Sequence, residues 1–105
     1  MQPALPPPGK EVDVDFMVFV ERYATDLLKW DILTFFGHFP DFAGTTEQIA
    51  QRIGRSSQSL RPELGDLALR GILDRTRTED QAQSIYYLTH QPALRRLILK
   101  FAENQ

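Results

Sequence analysis

Thr45-Thr46-Glu47-Gln48-Ile49-Ala50-Gln51-Arg52-Ile53-Gly54, then Leu60, Leu64 and Leu67, then Gly71-Ile72-Leu73, is the stretch that decides the fold. Thr45 has the side chain of an N-cap and Gln48 lies three residues on, the spacing of a capping box. Ile49, Ala50 and Ile53 supply one buried stripe, and Gly54 closes this short helix. Ser56 or Ser59 then caps a second helix, whose apolar positions Leu60, Leu64, Leu67 and Ala68 recur at three and four. Gly71 ends it. Pro62 falls inside this second helix, where it would delete a backbone hydrogen bond and cost about 3 kcal/mol beyond the first turn. A start with Ser59 as N-cap avoids that cost, because Pro62 becomes the third helical residue and its missing N–H has no intrahelical partner anyway. Gly65 costs about 1 kcal/mol more, offset where a small residue lets helices approach closely.

Towards the C-terminus the period changes. Ile72–Thr78 and Ser84–Thr89 are rich in β-branched and aromatic residues and flank the polar Glu79-Asp80-Gln81-Ala82-Gln83, which reads as a β-hairpin. Pro92 sits in the first turn of a last helix with Leu94, Leu97, Ile98 and Phe101 on one face. Towards the N-terminus, apolar residues recur helically from Phe16 to Phe36, predicting one long helix or two nearly collinear ones, ended by Phe39-Pro40-Asp41-Phe42-Ala43-Gly44. Residues 1–11 hold four of the seven Pro and predict a disordered Pro-rich tail before a single domain over 12–105. Pro3 and Pro6 make a PxxP spacing, for which a loose tail is the commoner reading than a polyproline ligand.

This order, helix, short helix, tight turn, helix, hairpin and final helix, resembles a winged helix-turn-helix domain: mainly α with a three-helix core, a small β-hairpin as the wing and a C-terminal helix. The Thr-Thr-Glu opening, the Ile49-Ala50 pair, the closing Gly54, the three Leu and the Gly71-Ile72-Leu73 step into the wing are similar to those of MarR-like bacterial regulators. The resemblance covers about residues 24–89. It implies that the second helix of the pair enters the major groove of double-stranded DNA through Ser57, Gln58, Ser59 and Arg61. Arg55 would precede it, and Arg75 and Arg77 would act from the wing base. Gln58 would read adenine, Arg61 guanine or a phosphate, and the Ser hydroxyls phosphate oxygens. A helix cap with solvated polar residues is the plainer account of the same residues.

The charge balance bears on that implication. The chain has 105 residues, 12 Lys+Arg against 14 Asp+Glu, no Cys and a net charge of −2. That leaves room for one domain and removes disulfides, thiolates and Cys-based zinc sites. The total hides a gradient. Residues 1–47 sum to −5, residues 48–77 to +3 and residues 78–105 to 0. All six positive charges of the middle third are Arg, the residue suited to bidentate phosphate and guanine contacts. Glu79 and Asp80 would put acid at the wing tip, so wing contacts fall to Arg75 and Arg77.

Other chemistry is excluded more easily. His38 and His90 have no ligand partner at a recognised spacing, so neither a metal nor another cofactor is expected. No P-loop, GxGxxG or paired catalytic carboxylates occur, and no enzyme activity is expected. The longest apolar run, Phe16–Val20, is far short of the roughly 20 residues that span a bilayer. With no signal-like start, the cytoplasm and no membrane partner are the expectation.

Six of the seven Phe lie between Phe16 and Phe42, more apolar surface than one stripe buries. The surplus predicts a homodimer interface from the first and last helices, built on Phe16, Met17, Phe19, Val20, Leu97, Leu99 and Phe101, the plainer account being a thicker single core in which the terminal helices pack on each other. Two functional readings follow. One is a small dimeric DNA-binding transcription regulator. The other is a winged helix that serves protein–protein assembly without binding DNA.

Overall fold

The computed structural model describes residues 13–103 and Gln105. The expected Pro-rich tail over 1–11 lies outside the described residues. The elements run α1 (Val14–Tyr23), α2 (Leu27–His38), β1 (Ala43–Gly44), α3 (Thr46–Ile53), α4 (Ser57–Leu69), β2 (Leu73–Arg77), β3 (Ser84–Leu88) and α5 (Pro92–Glu103).

Local chemistry accounts for most boundaries. The Asp13 carboxylate caps α1 by accepting from Phe16 N–H at 3.0 Å, and Asp26 caps α2 by accepting from Lys29 N–H at 2.8 Å. The Asp26 cap divides the stretch from Phe16 to Phe39 into two helices, because its extended backbone (φ −151°) cannot continue α1. The capping box of α3 forms with both of its hydrogen bonds, and Gly54 closes the helix at φ +83°. Gly37 is where α2 crosses α5: a Cβ there would overlap the Ala102 side chain and lie 2.8 Å from the Ile98 carbonyl.

Two expectations about α4 are corrected. Its cap is Ser56, which accepts from Ser59 N–H at 3.1 Å, so the helix starts before Ser59 and Pro62 is its sixth residue. The Gln58 carbonyl that loses its partner belongs to an exposed residue in the first turn of the helix. Nor does Gly65 mark a close helix crossing, since a Cβ there would meet nothing within 4 Å.

The hairpin forms as expected, with Arg75 opposite Tyr86 and Arg77 opposite Ser84. It gains a third strand that the sequence did not announce. β1 pairs with β3 through Ala43–Tyr87 and Gly44–Tyr86, in the order β1-β3-β2. Two residues are too few to show a period of two.

One core joins all the helices to the sheet, with Ile32, Leu33, Phe36, Ile49, Leu60, Leu64, Leu67, Ile72 and Ile98 fully enclosed. Phe19, Leu97 and Phe101, expected on a second contact surface, belong to this core at 2%, 8% and 1% exposure. The reason is that α1 lies on α5 within the chain: Phe101 makes an edge contact with Phe19 at 6.4 Å and with Trp30 at 4.7 Å. Beneath α4, buried Lys29 holds Glu63 at 2.8 Å, Asp66 at 3.2 Å and Asp26 at 3.4 Å, tying α2 to α4. Burial disfavours its ammonium, but the Glu63 and Asp66 hydrogen bonds outweigh that and raise its pKa above the usual lysine value.

Candidate nucleic-acid interface

Three of the expected DNA-contacting arginines converge. Arg61 projects from α4, while Arg75 and Arg77, two apart on β2, share one face of the hairpin because strand side chains alternate. Together they line a groove of about 550 Å³ between α4 and the hairpin. Gly65 lies one turn after Arg61 on the same wall. Gln83, Ser84 and Tyr86 line the strand side, and Thr46 and Glu47 of α3 also contribute to the lining.

The electrostatics of the groove are uneven. Arg61 pairs with Glu47 at 2.9 Å, both side chains being more than half exposed. Arg77 donates to the Gln81 carbonyl at 3.3 Å. Arg75 has no carboxylate partner among the described residues. Glu79 and Asp80 do not line the groove. Asp80 is held at the hairpin tip, where the Thr78 hydroxyl and then the Ala82 N–H donate to its carboxylate and keep its pKa below the ordinary value.

The remaining candidates are placed differently. Gln58 and Ser59 are exposed on the first turn of α4 and Ser57 is half-buried there. The Ser56 hydroxyl donates to that of Ser59 at 2.8 Å, so the two are engaged with each other. Arg55 does not join the groove. It pairs with Asp31 of α2 at 2.7 Å. Arg52 also faces elsewhere, with its guanidinium 5.0–5.5 Å from the ring centres of Phe35, Phe39 and Phe42.

Sequence reasoning missed Glu47, Gly65, Ser84 and Tyr86 as groove residues. For Ser84 and Tyr86 a signal existed, because residues directly opposite in an antiparallel pair share a face. For Glu47 there was none, since an acidic residue in the first turn of a helix is sufficiently explained by the helix dipole.

On the far side of the molecule, Val14, Met17 and Val18 of α1 are 64%, 51% and 48% exposed, and Leu99 of α5 is 36% exposed. Phe16 is half-buried under Lys100, whose ammonium lies 5.0 Å from its ring centre, and Val20 packs against the core. His38 ends α2 and His90 lies beside the Tyr87 ring. Among the described residues no metal-holding cluster occurs, and no helix is long and apolar enough to cross a membrane.

No protein-family model matches the chain, and no curated protein matches it in sequence. Solved structures do. A possible transcriptional regulator from Methanosarcina mazei Go1 superposes with a TM-score of 0.66 at 16% identity, covering 99% of this chain and 88% of its own. The antimony-specific transcriptional repressor AntR gives 0.63 at 18% identity over 99% and 100%. Overoxidized AbfR, solved bound to DNA, gives 0.62 at 18% identity over 85% of this chain and 68% of its own. At these identities the likeness is one of fold. The chain has the winged-helix fold found in transcriptional regulators, with α2, α3 and α4 as the helical core and β2–β3 as the wing.

Proposed function

We propose that the protein binds double-stranded DNA through the groove between α4 and the wing, and acts as a dimeric transcription regulator in the cytoplasm. The observation that carries this reading is the convergence of Arg61, Arg75 and Arg77 on one concave surface beside the exposed first turn of α4. Guanidinium groups on two walls of a groove suit a phosphate-bearing strand running between them. Gln58, exposed on the first turn of α4, would meet a base edge, while Ser59 is held by Ser56. The dimer would be formed by the outer faces of α1 and α5, where Met17, Val18 and Leu99 stay exposed after Phe19, Leu97 and Phe101 have gone to the core.

The test is a fluorescence anisotropy titration of a labelled duplex at several salt concentrations. Three phosphate contacts per chain give a log–log salt slope of about −3 per chain, and Arg75→Ala reduces its magnitude by about 1. Absence of binding at low salt, or a slope indifferent to both Arg61→Ala and Arg75→Ala, overturns the reading. The same apolar outer face of α1 would also suit the alternative, a protein-assembly module. Recovery of a stoichiometric protein complex after nuclease treatment, without DNA binding by the purified chain, favours that one.

A further inference from the structure

The five described glycines separate into two kinds. Gly37 and Gly44 sit where a Cβ would strike a neighbour: Ala102 and the Ile98 carbonyl in one case, Gln48 and Phe42 in the other. Gly54 and Gly71 have φ of +83° and +80°, a backbone conformation that other residues adopt only with strain. Each of these four has a reason internal to the fold. Gly65 has none. Its backbone lies inside α4 without a positive φ, and a Cβ built on it would meet nothing within 4 Å. A mid-helix glycine weakens its helix relative to alanine, and this helix already contains Pro62.

Its position supplies the missing reason. Gly65 lines the groove one helical turn beyond Arg61 and across from Arg75 and Arg77. A bare Cα there lets a ligand come up against the helix backbone, while the guanidinium groups reach it from either side. We propose that Gly65 is the point of closest approach of a DNA sugar–phosphate backbone, and that its missing side chain sets how deeply the strand seats between α4 and the wing. A phosphate presents free oxygens on two sides, so guanidinium groups reaching in from both walls can each hold one. The proposal rests on the DNA-binding reading above and adds the mode of contact.

The experiment compares the full chain with Gly65→Ala and Gly65→Met, measuring thermal stability and affinity for two duplexes of unrelated sequence. Alanine raises Tm by a few degrees, because a better helix former enters an unobstructed site. It nonetheless weakens binding by about tenfold on both duplexes, and methionine weakens it further. Gly65→Ala binding as tightly as the parent overturns the proposal while leaving DNA binding intact. A loss confined to one duplex overturns it in favour of a base-edge contact. If the parent protein shows no salt-sensitive binding to either duplex, the DNA-binding reading falls and this one falls with it.

Discussion

Glu47 is the one carboxylate among the groove-lining residues, and its 2.9 Å pair with Arg61 makes it a competitor for any phosphate that Arg61 would bind. Both partners are more than half exposed, so the pair itself is worth at most about 1 kcal/mol. Glu47 also acts on a ligand directly, because a fixed negative charge in the groove lining repels the incoming strand. Glu47→Gln keeps the size of the side chain and removes the charge. We expect DNA affinity about threefold higher in anisotropy titrations, with a smaller difference at high salt, and a Tm lower by a few degrees because the Arg61 pair and the charge at the α3 N-terminus are lost. Equal affinity at every salt concentration would show that Arg61 is not a phosphate contact. Lys29 works in the opposite setting. Enclosed by Glu63, Asp66 and Asp26, its charge is committed to joining α2 and α4 and offers nothing to a ligand. Sequence could count both residues but could not say which charge faces a partner.

At the scale of elements, α1 is docked on α5 by ion pairs as well as by Phe19. The Asp13 carboxylate caps it and also reaches Lys100 at 2.9 Å and Arg96 at 3.4 Å on α5. The Lys100 hydrogen bond first, and then the Phe16 N–H, lower the Asp13 pKa from 3.8 to about 2. A depressed pKa means that this contribution to stability is complete above the unfolded value and is lost as pH falls from about 4 towards 2. The Tm of the parent protein therefore falls more steeply through that window than the Tm of Asp13→Asn, and the two curves converge at low pH. Parallel curves would mean that the cap and the tether add nothing. Asp26 titrates in both proteins, so the difference between the curves isolates Asp13. The elements legible in the sequence were those with a complete local signal: the Thr45–Gln48 box, the three Leu of α4 and the alternation in β2 and β3. The break before α2 was harder, because Asp26 lies inside an apolar period that runs through it. β1 was invisible because it exists only by pairing with Tyr86 and Tyr87. Of the two caps available to α4, propensity at Pro62 favours Ser59, but the helix starts from Ser56 because burial of Leu60, Leu64 and Leu67 offsets the cost of Pro62.

Across the whole molecule, the six arginines of the basic middle third are divided by the fold. Arg55 and Arg70 pair with Asp31 and Asp66, and Arg52 stacks on three Phe rings. Only Arg61, Arg75 and Arg77 line the groove. A chain of net charge −2 with three arginines in its groove has modest electrostatic attraction for DNA, so one copy is expected to bind weakly. Two copies joined through α1 and α5 would present two grooves to successive half-sites about one helical turn apart, making the second contact intramolecular. Met17→Glu tests this link, because Met17 is exposed in the single chain and its replacement leaves the core untouched. We expect light scattering at micromolar concentration to show twice the chain mass for the parent and the chain mass for the variant. Affinity for a two-half-site duplex should fall by about a hundredfold, while affinity for a single half-site changes little. A variant that stays dimeric places the interface elsewhere. A variant that becomes monomeric yet keeps full affinity for the longer duplex would show that a single groove suffices, and the modest charge of the chain would then cease to be an argument for pairing.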